Sequence, residues 1–139
     1  MKANELMIGD WVEFTSKYGY GKGQIAGIEP REGSAEPTTF TIIKMDEQGN
    51  TLLYVGVSKV CVRPVPLTAE ILEMNGFVPD NFSPYYLPIK DGSIRFSKHQ
   101  YGLYCNILRP YQRYDEVCNY IHNLQHALRE CGIDKEIVL

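Results

Sequence analysis

Short segments in which apolar and polar residues alternate dominate the first half of the chain, and they limit its fold more than any other feature. In the first segment, 11–14, alternation places Val12 and Phe14 on one face and Trp11 and Glu13 on the other. Four more segments rich in strand-forming residues follow, separated by turn-forming residues, at 24–28, 38–45, 52–57 and 60–62. Five short strands between residues 11 and 62 are typical of a small barrel, so the sequence predicts an SH3-like β-barrel over residues 1–66.

A glycine-rich segment, residues 19–23 (GYGKG), stands between the first two predicted strands. Its glycines favour a flexible hairpin loop over residues 17–23. The segment also resembles a phosphate-binding loop. However, no buried strand and long helix flank it, and Lys22 is not followed by Ser or Thr. The sequence therefore predicts a hairpin loop that does not bind a nucleotide.

Signals for a helix, a hairpin and a third strand follow one another after residue 66. Thr68 as a cap and Gly76 as a stop predict a two-turn helix over 67–75. Strands are predicted at 85–89 and 94–98, joined by a tight turn at Asp91-Gly92, because this pair readily takes the positive φ angles of a primed turn. The pattern predicts one further strand, over 101–108.

The last predicted helix has the clearest pattern in the chain. Apolar residues recur every three or four positions from Val117 to Cys131, which predicts an amphipathic helix that covers the sheet. Two starts are open, because Asp115 can cap the helix, or Asn119 can cap it if residues 114–118 are extended. Residues 133–139 are expected to add an edge strand.

These elements together predict an α+β protein. Residues 1–66 form the SH3-like barrel, and residues 67–139 add a short helix, a small antiparallel sheet of three strands and the C-terminal amphipathic helix. We expect the two parts to pack as one unit, because domains of about 65–70 residues lie near the lower size limit for an independent core.

Composition excludes several classes of protein. The chain has 139 residues, of which 44% are hydrophobic and 22% charged, with a net charge of -3, which excludes a strongly basic nucleic-acid wrapper and an acidic disordered tail. No apolar run approaches the roughly 18–20 residues of a membrane helix, and no signal peptide can be read at the start. A cytoplasmic protein without a membrane partner is predicted.

The cysteines give no sign of metal or redox chemistry. They are separated by 44, 13 and 13 positions, without a C-x-x-C pair, at Cys61, Cys105, Cys118 and Cys131. Free and mostly buried thiols are predicted.

Two stretches are similar to sequence motifs of a known family. The first is VPLTAEIL at 65–72 with NGF at 75–77, and the second is YIHNLQ at 120–125. They resemble the "PIPLTEEWL...GF" and "YVHQLQ" motifs of small uncharacterised proteins of Bacteroidetes, their phages and mobile elements, with departures at Ala69, Ile71 and Met74. The resemblance implies a cytoplasmic protein of phage or mobile-element origin, and it supplies no catalytic residues.

Two histidines stand at a spacing that can bind one metal ion. His122 and His126 are four residues apart on the last predicted helix. Asn123 replaces the glutamate of a zinc-protease helix, and the next histidine, His99, is distant in sequence. We therefore expect the two imidazoles to lie at the edge of the helix and to form hydrogen bonds with groups that neighbour it. No metal, no cofactor and no enzyme activity is predicted, since no nucleophile motif is present either.

Cations and tyrosines alternate between residues 85 and 114. Five Lys and Arg stand against the single acid Asp91, a local charge of five minus one, or +4, and six tyrosines lie among them. Single-strand binders combine phosphate contacts and stacking in this way, although a solvated strand face has a similar composition. The candidate nucleic-acid contacts are phosphate-binding Arg95, Lys98, Arg109 and Arg113 and base-stacking Tyr86 and Tyr104.

The favoured function is a non-enzymatic adaptor whose partner is another protein. Total charge is negative, and residues 1–66 carry seven cations against eight acids, so they offer no excess that would steer phosphates. The alternative is single-stranded nucleic-acid binding through the face of the predicted sheet on which alternation places Tyr86, Arg95 and Tyr104, away from the predicted helix. Small barrels serve both functions, so the predicted fold does not choose between them.

Overall fold

The computed structural model describes residues 5–30 and 37–139. The chain divides into two compact units, Met1–Val65 and Pro66–Leu139. Both contain an antiparallel sheet and the second also contains two α-helices, so the protein is of the α+β type. None of the helices in these residues has the length and apolar character needed to cross a bilayer. The predicted interface between the two parts stays a prediction.

The N-terminal unit contains one five-stranded antiparallel sheet with the order β4-β3-β2-β1-β5. Its strands are β1 (Trp11–Ser16), β2 (Gly19–Pro30), β3 (Pro37–Met45), β4 (Thr51–Ser58) and β5 (Val62–Pro64). The predicted fifth strand, 60–62, is wrong in its first two residues, because they belong to a short 3-10 helix, Lys59–Cys61, and β5 begins at Val62. Within the described ranges β4 and β5 are the two edges and do not pair with each other, so the sheet is not closed into a barrel.

Alternation in β1 is confirmed by burial. Val12 and Phe14 are buried, whereas Glu13 is exposed and Trp11 half-buried. The apolar residues of this unit that are buried together come from all five strands and, in the case of Leu6, from the segment before β1: Leu6, Val12, Phe14, Ile25, Phe40, Ile42, Val57 and Val62. The core therefore lies on one face of the sheet.

The glycine-rich segment is part of β2, so the predicted flexible loop over 17–23 is wrong for residues 19–23, and the turn is confined to residues 17 and 18. Gly23 pairs with Val12, and a Cβ on it would lie 2.7 Å from both Ile42 Cγ2 and the Ile43 carbonyl oxygen. A Cβ on Gly19 would lie 2.7 Å from the Tyr54 hydroxyl. Because these glycines have no side chain, Ile42 of β3 and Tyr54 of β4 can lie directly against the backbone of β2. A flexible turn and a closely packed strand need the same residue type, which explains the error.

The C-terminal unit contains a four-stranded antiparallel sheet in the order β6-β7-β8-β9, one strand more than predicted. Its elements are α1 (Ala69–Met74), β6 (Tyr85–Ile89), β7 (Gly92–His99), β8 (Gly102–Arg109), β9 (Gln112–Val117) and α2 (Ile121–Glu130). Helix α1 begins as predicted, since Thr68 Oγ1 accepts a hydrogen bond from the Ile71 N–H at 3.3 Å.

Helix α2 begins later than the apolar pattern predicts. Residues 114–117 belong to β9, so the alternative in which this segment is extended is confirmed for them, and Val117 pairs with Tyr104. The N-cap is Tyr120, so both predicted caps, Asp115 and Asn119, are wrong. The Asn119 side chain instead accepts a hydrogen bond from the Leu103 N–H and donates one to the Tyr101 carbonyl, both at 3.1 Å. Apolar residues of a strand that directly precedes a helix can fall at helical spacing by chance, and the helix is then predicted to begin too early.

The β6–β7 turn differs from the predicted primed turn. Ile89 pairs with Gly92, so Lys90 and Asp91 are the turn residues, and no non-glycine residue in the described ranges has a positive φ. Gly92 is the first residue of β7 and its φ is not positive. A Cβ on it would overlap the carbonyl oxygen of Leu108 and lie 2.9 Å from the carbonyl carbon. Glycine is needed here for close backbone approach.

The C-terminal tail is held by a side chain, not by strand pairing. Residues 133–139 form no strand, so the predicted edge strand is wrong. The buried Asn75 amide donates to the Val138 carbonyl at 2.9 Å and its carbonyl accepts from the Val138 N–H at 2.8 Å. Asn75 reproduces the donor and acceptor pair that a neighbouring strand would offer.

Candidate functional site

The outer face of the C-terminal sheet brings together four of the six predicted nucleic-acid contacts. Tyr86 lies opposite Arg95 on the neighbouring strand. Tyr104 lies opposite Ser97, which is two residues from Arg95 and so shares its face. Arg113 lies opposite Leu108, which itself pairs with Ser93 on that face.

Lys98 and Arg109 lie on the opposite face of the same sheet. Each directly follows a residue of the outer face, and successive side chains of a strand point to opposite sides. The Arg109 Nη1 donates to the Cys131 carbonyl oxygen at 2.7 Å and so binds the end of α2. These two cations therefore do not belong to one surface with Arg95.

Arg95 is engaged within the protein. Its guanidinium forms an ion pair with Asp80 and lies 4.4 Å from the ring centre of Tyr86 and 5.6 Å from that of Phe82. The loop that carries Asp80 is closed by its own contacts, since the carboxylate accepts hydrogen bonds from the backbone N–H groups of Phe82 and Ser83 at 2.9 and 2.8 Å. Arg95 thus fixes a loop over the sheet by cation–π contact and charge.

These contacts set the titration of Asp80. Desolvation raises the pKa of Asp80, but hydrogen bonds from Phe82, Ser83 and Arg95 outweigh it and hold the pKa below its ordinary value of 3.8. A lowered pKa contributes stability above the unfolded value, and that contribution is lost as the pH falls through the folded value.

Arg95→Ala is therefore expected to raise the pKa of Asp80 towards 3.8, because one hydrogen bond and a neighbouring positive charge are removed. The measurement is an NMR titration of the Asp80 carboxyl carbon. Arg113→Ala is the matched control, since Arg113 pairs with Asp115 instead. Equal shifts in both variants would contradict the assigned partner.

The second arginine of the outer face is also paired. Arg113 Nε lies 3.0 Å from Asp115 Oδ2. Asp80, the partner of Arg95, and Asp115 both lie outside residues 85–114. Counting charges over residues 80–115 instead lowers the local charge to five minus three, or +2. These two carboxylates halve the positive charge that was counted over residues 85–114.

The two candidate metal-binding histidines meet each other and a tyrosine. Their ring centres are 5.6 Å apart, and the buried His122 ring stacks on Tyr120 at 5.8 Å. In residues 5–30 and 37–139, no group of three or more His, Cys, Asp or Glu could hold a metal ion.

Two of the cysteines, Cys105 and Cys131, are poorly suited to nucleophilic attack. All four cysteines are free, as predicted, and three of them are buried. A hydrogen bond with Cys118 and burial raise the pKa of Cys105, and burial raises the pKa of Cys131. Cys105 and Cys131 therefore favour the protonated, unreactive form.

A groove along β4 in the N-terminal unit was not anticipated from the sequence. It has a volume of about 580 Å³ and lies between the β1–β2 turn, residues 16–18, and strand residues 52–57. Tyr54 reaches across towards β1, where its ring centre is 4.9 Å from that of Phe14. The groove therefore follows the open seam at which β4 approaches the first hairpin without pairing with it.

The walls of this groove, hereafter the seam groove, expose large apolar side chains. Relative exposure is 62% for Leu53, 75% for Val55 and 81% for Tyr18, whereas Val57 is buried. The only sequence signal was that residues 52–55 (LLYV) lack the polar positions of an alternating strand. The edge position of β4 depends on strand order, which that segment does not encode.

Comparison of the chain with protein-family models, with curated proteins and with solved structures found no match.

Proposed function

We propose that the protein is a non-enzymatic, cytoplasmic adaptor that binds another protein in the seam groove of its N-terminal unit. The observation that carries this proposal is the groove of about 580 Å³ along the edge of β4 that faces away from β3, with which no strand of the described residues pairs. Its volume is within the range of about 300–1,000 Å³ that is common for binding pockets.

Exposure of apolar side chains at a sheet edge supports this function. Natural proteins usually protect edge strands with charges, prolines or covering segments, because bare edges pair with other chains. Strand β4 contains no charged residue and no proline between Thr51 and Ser58. Keeping such an edge apolar is a cost that partner binding would explain.

The strand arrangement supports the SH3-like architecture as part of the proposal. Strands β1 to β4 form a meander, β5 returns to pair with β1, and a 3-10 helix precedes β5. A barrel of this kind left open at one seam would place the edge of β4 beside the first hairpin.

Single-stranded nucleic acid is the alternative ligand. Its support is the shared face of Tyr86 and Tyr104, which offers rings for base stacking. Against it stand the two arginines of that face, each of which already binds a carboxylate. Phosphates would have to displace Asp80 and Asp115, so we place protein binding first.

Site-specific crosslinking in the cells that produce the protein tests this function. A photoreactive phenylalanine analogue at position 55 is expected to yield one discrete protein adduct. The same analogue at position 60 is the matched control, because Val60 is 79% exposed against 75% for Val55 and does not line the seam groove. Adducts at both positions alike, or at neither, would contradict the proposed site. Salt-sensitive binding of a labelled single-stranded oligonucleotide by the purified protein would favour the alternative.

A further inference from the structure

Resting on the protein-binding function proposed above, we infer that the partner enters the seam groove as an extended peptide segment that pairs with β4 as an added antiparallel strand. Antiparallel pairing suits this position, because antiparallel sheets tolerate solvent on one face.

Main-chain groups of β4 are directed into the groove at alternate residues. The Asp46 N–H donates to the Asn50 carbonyl at 2.8 Å, so residue 50 faces β3. Pairing then continues without a shift from Thr51 to Tyr54. In an antiparallel ladder successive residues face opposite edges, so Thr51 and Leu53 direct their N–H and C=O groups away from β3. No strand of the described residues pairs with that edge.

The usable edge is short, which favours a peptide over a second copy of this chain. A register shift interrupts β4 between Tyr54 and Val57, and Gly56 in that interval has a φ of 72°. The regular edge, residues 51–54, spans about 14 Å at about 3.4 Å per residue. The groove is lined by nine residues, whereas a stable dimer usually needs about 20–30 residues a side.

The chemistry of the walls defines the peptide. Leu53, Val55 and Tyr18 are exposed apolar residues, so alternate apolar side chains of the peptide would gain burial. Lys17 is the only charged residue among those that line the groove. A carboxylate at one end of the peptide would complement it. The partner segment is therefore an extended peptide that has apolar side chains at alternate positions and a carboxylate at one end.

A synthetic peptide tests the main-chain pairing directly. The probe is a capped heptapeptide in which Val and Thr alternate and one end carries Glu, added to the full-length protein at up to about 1 mM, the weak end of measurable affinity. We expect slower hydrogen exchange at the Leu53 amide, which faces the groove. The Leu52 amide, which faces β3, is the internal control and should change little.

Backbone methylation of the probe separates strand pairing from simple apolar contact. One peptide carries N-methyl groups on its odd-numbered amides and another on its even-numbered amides. Only one edge of an added strand faces β4, so one set should weaken binding at least tenfold and the other less than twofold. Equal binding by both peptides, or an unchanged exchange rate at Leu53, would overturn the inference.

A pair of protein variants localises the peptide. Val55→Lys is expected to weaken binding at least tenfold, because it places a charge in the apolar wall, whereas Val60→Lys should weaken it less than twofold. Equal effects would overturn the assignment to the seam groove. If no probe binds but crosslinking at position 55 still captures a protein, strand addition is wrong and the protein-binding function stands.

Discussion

Gly92→Ala is expected to lower the free energy of unfolding of the C-terminal unit by about 3 kcal/mol, at the upper end of the usual cost of overpacking. The new Cβ would overlap the Leu108 carbonyl oxygen and lie 3.3 Å from Arg109 Cα. Backbone atoms of a paired strand cannot rotate aside, so β7 and β8 must separate locally. Hydrogen exchange of the β7 and β8 amides in increasing urea measures the loss within this unit.

Gly132→Ala is the matched control in the same unit. A Cβ on Gly132 would meet nothing within 4 Å, but the residue has a φ of 68°. Only the left-handed backbone conformation is penalised there, by about 1 kcal/mol. If the two variants lost the same free energy, the close contact between Gly92 and β8 would not be the cause.

Gly23→Ala is expected to destabilise the N-terminal unit by about 2 kcal/mol. A Cβ on Gly23 would meet the Ile43 carbonyl oxygen and Ile42 Cγ2, both at 2.7 Å, in the buried interior of the sheet. A residue in a mobile loop would tolerate the same change with no loss. The substitution therefore tests whether β2 includes the glycine-rich segment, and the measurement is the urea dependence of β2 amide exchange.

Gly27→Ala provides the comparison within β2. Its nearest neighbour would be Thr41 Cβ at 3.3 Å, and the other close atoms belong to side chains that can move. The loss of free energy should stay below about 1 kcal/mol, since removing glycine also reduces the entropy of the unfolded chain. A larger loss for Gly27→Ala than for Gly23→Ala would contradict the packing described for β2.

Ion pairs on the C-terminal sheet show why the charge counted over residues 85–114 exceeds the charge that this surface offers. Alternation along the strands correctly assigns Tyr86, Arg95 and Tyr104 to one face. Counting charges over a sequence window, however, ignores which groups meet in space. Asp80 is 15 residues from Arg95 in the chain and forms an ion pair with it. Electrostatics depends on distance between charges, and sequence separation does not measure that distance.

Local physical chemistry by itself determined that the first four strands of the N-terminal sheet exist, which face of β1 is buried and that Thr68 caps α1. A period of two and a side-chain cap act between residues only a few positions apart, so they can be read from the sequence. Tertiary structure alone decided the edge position of β4, the interior role of Gly23 and the partner of Arg95. Each of these depends on which distant segments become neighbours, and that is set by burial and strand pairing across the whole unit.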